Sequence, residues 1–140
     1  MRSSALIATS ATVMLLLGFL HLWITFSGTQ LHPSDPDLTA KMLTISPVVS
    51  RETTMWRAWI GFNVTHSFFL ILFGAVYGYL AICHSEFLFR SWFLLALGLA
   101  HLLGCAVAAR LFFFSSPFRG VVFATVLFLL GIIFNKASAA

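Results

Sequence analysis

Four long apolar segments, residues 5–27, 56–82, 88–110 and 118–135, constrain this chain more than any other feature. As helices rising about 1.5 Å per residue, they are long enough to cross a hydrocarbon layer of about 30 Å. Lipid offers no water to backbone N–H and C=O groups, so a single spanning segment must satisfy them internally, as a helix does. The expected fold class is all-α: a polytopic membrane protein with one domain over residues 1–140. The tight second and third connections make neighbouring helices antiparallel, which gives a four-transmembrane-helix up-down-up-down bundle.

Composition points the same way. Of 140 residues, 60% are hydrophobic and 9% charged, and the mean hydropathy is +0.99. A soluble domain is about half apolar and about a quarter charged. A soluble core of this length has no room for so much apolar surface, so lipid must cover the rest. The sixteen Phe suit the centre of spanning helices. The net charge of +4 comes from Lys and Arg placed singly at segment ends, where they anchor in the headgroup region. With no basic cluster, nucleic acid is not an expected partner. Arg2, Arg90 and Lys136 fall on one side, and Lys41, Arg51, Arg57, Arg110 and Arg119 on the other. That excess favours a cytoplasmic position for the long loop, residues 28–55.

The chain begins Met-Arg-Ser-Ser before its first apolar run, in the manner of a signal peptide. The run is too long for a signal core and lacks a clear small-x-small site, so it is expected to remain as a membrane helix. In the long loop, Pro33, Asp35, Pro36 and Asp37 predict a turn and a helix N-cap. Leu38, Met42 and Ile45 predict a short interfacial helix over 37–45, ended at Ser46-Pro47. Ser50 or Thr53 is expected to start the second span, and His84-Ser85-Glu86 to turn tightly into the third. Cys83 and Cys105 lie at different expected depths, so two buried thiols are expected rather than a disulfide.

Polar side chains inside hydrocarbon are costly and usually face a bundle interior. Here they are few: His21, Asn63, His66 and His101, with Thr25, Thr65 and Cys105 nearby. At helical spacing Trp56, Trp59, Asn63, His66, Leu70, Gly74, Tyr77 and Gly78 share one stripe, a face suited to protein rather than lipid. Met14, Gly18, His21 and Thr25 share another, and Gly98, His101, Cys105 and Ala108 a third. Measured along the helices from the long-loop side, His21 lies about 9 Å deep and His66 and His101 about 14 Å. Three imidazoles at one level are the expectation. Gly74-x-x-x-Gly78 and Gly120, Ala124 and Gly131 are expected packing faces.

Three chemistries are open to such a cluster. The first is interhelical hydrogen bonding. The second is a site for a lipophilic small molecule, a quinone, an isoprenoid or a lipid. His21, Asn63, His66 and His101 would hold its head or relay protons, Trp56 and Trp59 would line the mouth, and Arg110 would bind an anion at the rim. The third is metal or haem ligation by two imidazoles. It lacks a Cys-x-x-Cys-His and any metal-spaced His pair on one helix, so no metal site is assigned. No cofactor and no catalytic residue can be named. The spans carry no acid, which argues against a carboxylate-based ion pump.

The run Met55-Trp56-Arg57-Ala58-Trp59-Ile60-Gly61-Phe62-Asn63-Val64-Thr65-His66-Ser67 resembles a segment of small four-helix bacterial membrane proteins, with the pattern Trp-x4-Gly-Phe-Asn-x-Ser/Thr-His. The resemblance implies four spans and a bacterial inner membrane, and it brings no activity with it. Packing glycines outnumber reactive groups. The leading expectation is therefore a small integral membrane protein acting through helix packing, as a homo-oligomer or an accessory subunit of a larger complex, with membrane lipids around it. The rival is a membrane-embedded enzyme or carrier using the His/Asn cluster.

Overall fold

A computed structural model describes residues 2–139 of the chain. They form six helices and no strand: α1 Arg2–Ser27, α2 Pro36–Thr44, α3 Met55–Cys83, α4 Ser85–Arg90, α5 Trp92–Phe112 and α6 Ser115–Ala139. By length and composition α1, α3, α5 and α6 are able to cross a membrane. Residue contacts divide the chain into two compact units, residues 18–69 and the remainder. The divisions fall inside α1 and α3.

Helix ends follow local chemistry more closely than hydropathy. Asp35 caps α2 by accepting from the Asp37 N–H at 2.9 Å, with Pro36 opening the helix. The helix ends at Thr44, where Ile45 turns extended and donates its N–H to the Lys41 carbonyl. The expected helix over 37–45 is therefore present, shifted by one residue at each end. The start of α3 corrects the expectation of Ser50 or Thr53. Thr54 is the cap, its Oγ1 accepting from the Arg57 N–H at 3.3 Å. The Ile45 carbonyl accepts the Met55 N–H at 2.8 Å and ties the loop to this helix start.

The third long helix also begins later than Leu88. Residues 85–90 are a separate short helix, α4, and Ser91 breaks the backbone with φ −94° and ψ 97°. Its N–H reaches back to the carbonyls of Phe87 and Leu88, while its Oγ accepts from the Leu94 N–H at 3.3 Å. One serine therefore closes α4 and opens α5.

The unit of residues 2–17 and 70–139 is built on small residues. A Cβ on Gly74 would come within 2.6 Å of the Ala11 carbonyl oxygen, and one on Gly98 within 2.6 Å of the Phe128 ring and 2.8 Å of the Tyr77 ring. Gly78 faces the Ala11 methyl, Gly120 the Leu17 side chain and Gly131 the Ile7 side chain. Both glycine faces expected to pack thus do so within the chain. Phe128, Ile7, Met14, Leu88 and Leu102 are fully buried in this core. Two polar pins cross it: Ser10 Oγ donates to the Ala124 carbonyl at 2.7 Å, and Tyr77 Oη to the Leu94 carbonyl at 2.7 Å.

The exterior is apolar. Phe19, Trp23 and Phe26 on α1, Phe62, Phe69 and Leu72 on α3, Phe93, Leu97 and Val107 on α5 and Phe123 and Ile133 on α6 are exposed. Water would charge heavily for such surfaces, and lipid would not. Both cysteines are free, as expected, but Cys83 is exposed and Cys105 only half-buried, so the expectation of two buried thiols is not met.

Candidate functional site

The polar cluster lies in the unit of residues 18–69 and is assembled by the end of α1 and the start of α3. Asn63 is its hub, only 5% exposed. Its Nδ2 donates to the Trp59 carbonyl, one turn back on α3, at 2.8 Å. A carbonyl only accepts, so the amide is oriented with Oδ1 toward His21, whose Nε2 lies 3.1 Å away. Oδ1 also only accepts, so Nε2 of His21 carries the proton. Neutral His21 is then held as the Nε2–H tautomer, with Nδ1 left as the acceptor.

His66 meets His21 edge to face, with ring centroids 5.2 Å apart and planes at 77°. Two hydroxyls complete the layer by bonding back within their own helices. Thr25 Oγ1 donates to the His21 carbonyl at 2.7 Å and Ser67 Oγ to the Asn63 carbonyl at 3.0 Å, and both residues are buried. Among the described residues no buried side-chain nitrogen or oxygen lacks a hydrogen-bond partner. One hydrogen bond, His21 to Asn63, and one ring contact, His21 to His66, join the two helices here, and the remaining bonds lie within a helix.

The two tryptophans sit at the edge of this unit. Trp59 Nε1 donates to the Leu31 carbonyl at 3.0 Å, so it fastens the loop after α1 to α3. Trp56 takes the His32 ring edge on, at 4.7 Å between centroids and 76° between planes. His32 and the Leu31 carbonyl escaped the sequence reading. Their only signal was position, just before Pro33 and ahead of a Trp-rich helix start. Both rings expected to line the mouth make contacts with the loop.

The other expected site residues have different company. His101 belongs to the unit of residues 2–17 and 70–139. There it stacks on Phe73, with centroids 4.8 Å apart and planes at 9°, and its Nε2 lies 3.6 Å from Cys105 Sγ one turn on. Arg110, in the last turn of α5, is exposed. The expected meeting of imidazoles is therefore seen for His21 and His66. Among the described residues no group of three or more His, Cys, Asp or Glu is arranged to hold a metal ion.

Compared with known proteins, the chain matches no family model, no curated protein and no solved structure.

Proposed function

We propose that this protein is a small integral membrane protein, an up-down-up-down bundle of four spanning helices, that works by packing helices against further copies of itself or against the subunits of a larger membrane complex. The resemblance around Trp56–His66 favours the bacterial inner membrane. The short connections over residues 84–91 and 113–114 favour antiparallel neighbours among the long helices.

The observation that carries this reading is a stripe on α5. Ala96, Ala100 and Gly104 recur every four residues and all three are exposed. A Cβ on Gly104 would meet nothing within 4 Å. The larger Leu97, Leu103 and Val107 flank the stripe and are exposed as well. Small residues four apart let a second helix approach closely, and its side chains fill the groove that a lone helix leaves to lipid. Gly74, Gly98, Gly120 and Gly131 are already occupied within the chain, whereas this stripe is open to a partner. The His21–Asn63 hydrogen bond supports the same reading, because it commits both ends of the Asn63 amide to protein partners.

The test is the mass of the purified protein in mild detergent. We expect an oligomer or a co-purifying subunit that Gly104→Leu dissociates. A lone monomer, unchanged by that substitution, would remove the reading.

A further inference from the structure

A cleft of about 1060 Å³ opens at the end of the molecule where α1 begins and α6 finishes, with α4 as its third wall. Its size is at the upper limit of small-ligand sites, about 300–1,000 Å³. All of its lining comes from the unit of residues 2–17 and 70–139. The lining divides into two chemistries. Arg2 and Arg90 supply guanidinium groups and Ser3 and Ser85 supply hydroxyls, while Phe89 and Phe134 supply an apolar wall.

The one acid in the lining, Glu86, pairs with Arg90 at 3.3 Å, one helical turn away. That pair is weak competition for a ligand. The two side chains are 80% and 85% exposed, and exposed pairs at this spacing contribute little. One contact also leaves most of the donors of a guanidinium fork uncommitted. Arg2 is exposed too. Two arginines beside hydroxyls match the oxygens of a phosphate, which guanidinium binds with two parallel hydrogen bonds. The first turn of α1 faces the same cleft, and its dipole favours an anion.

The two halves together select the ligand class. A free phosphate gains nothing from Phe89 and Phe134, and a hydrocarbon gains nothing from two cations. An amphiphile with an anionic head uses both. We propose that this cleft seats the phosphate head of an anionic phospholipid, with Arg2 and Arg90 on the phosphate oxygens and the upper acyl carbons against Phe89 and Phe134. The inference is independent of the α5 stripe and of the His/Asn layer.

Lipid titration of the full chain in uncharged detergent tests it, read by native mass spectrometry and by thermal unfolding. The probes are dioleoylphosphatidylglycerol, dioleoylphosphatidylcholine and inorganic phosphate. Expected is a bound phosphatidylglycerol that raises the unfolding temperature, with weaker binding of phosphatidylcholine. Arg2→Gln combined with Arg90→Gln should weaken the phosphatidylglycerol affinity about tenfold. Lys41→Gln, which removes an exposed cation from the other unit, should leave it unchanged. Unchanged far-ultraviolet circular dichroism shows that the double variant is folded. Equal binding of both lipids would overturn the proposal, as would full phosphatidylglycerol affinity in the double variant. Inorganic phosphate matching phosphatidylglycerol in affinity and in loss on substitution would overturn the lipid assignment and leave a free-phosphate site.

Discussion

His21 and Asn63 are joined by one hydrogen bond, Nε2 to Oδ1 at 3.1 Å, whose direction is fixed by the far end of the same amide. Because Nδ2 is committed to the Trp59 carbonyl, the pair has a single polarity and the imidazole a single neutral tautomer. A double-mutant cycle of His21→Ala and Asn63→Ala, read by thermal unfolding in detergent, should give a coupling of about 0.6 kcal/mol, up to about 1.7. Strict additivity would mean that the bond does not hold the helices.

The glycines of α5 should respond oppositely to the same change. Gly98→Ala drives a methyl into the Phe128 and Tyr77 rings and should cost about 1–3 kcal/mol. Gly104→Ala meets nothing within the chain, so in a detergent that keeps the protein monomeric its unfolding temperature should hold or rise, since Ala favours a helix over Gly. Equal losses at the two positions would contradict the packing described for this helix.

Tyr77→Phe isolates one of the polar pins. It removes the donor to the Leu94 carbonyl at 2.7 Å and keeps the ring that stacks on Phe73 at 4.5 Å between centroids. The expected loss is about 0.5–1.5 kcal/mol. A larger loss, near that of ring removal by Tyr77→Ala, would assign the stability to something other than the hydroxyl.

Sequence alone went far toward the helices and less far toward the site. Long apolar helices are legible because hydropathy summed over a long window is a strong signal, and Asp35 and Pro36 announce α2 because the cap and the first-turn proline are local chemistry. The break at Ser91 was hidden. Phe87, Leu88, Phe89, Trp92 and Phe93 flank Arg90-Ser91 with apolar residues, and two polar residues in such a run do not announce a change of backbone. Thr54 is hidden for a different reason, because it stands among several residues able to cap. In the cluster, Asn63, His21 and His66 stood out because polar groups are rare in apolar spans. The partners of Trp56 and Trp59 did not, because a loop carbonyl and the His32 ring reach α3 through a chain path that no helical period encodes. The outward face of α5 was equally hidden, since small residues on two sides of a helix look alike until packing occupies one of them.

The loop helix should yield to its cap without disturbing the rest. Asp35→Ala removes the acceptor for the Asp37 N–H, a change of about 1 kcal/mol at an N-cap. No residue of α2 is buried, so the global unfolding temperature should stay put while hydrogen exchange accelerates at residues 37–41. A drop in global stability would show that α2 supports more of the fold than its exposed side chains indicate.

The central claim is that α5 presents its small residues to another helix, and cross-linking in native membranes tests it most directly. In a Cys83→Ser, Cys105→Ser background, a cysteine is placed by Gly104→Cys on the stripe or by Val126→Cys on the exposed face of α6 as control. Oxidation should convert the Gly104→Cys protein to a covalent dimer, or to an adduct with one partner, and leave the Val126→Cys protein monomeric. Monomer at both positions, or equal cross-linking at both, would contradict it.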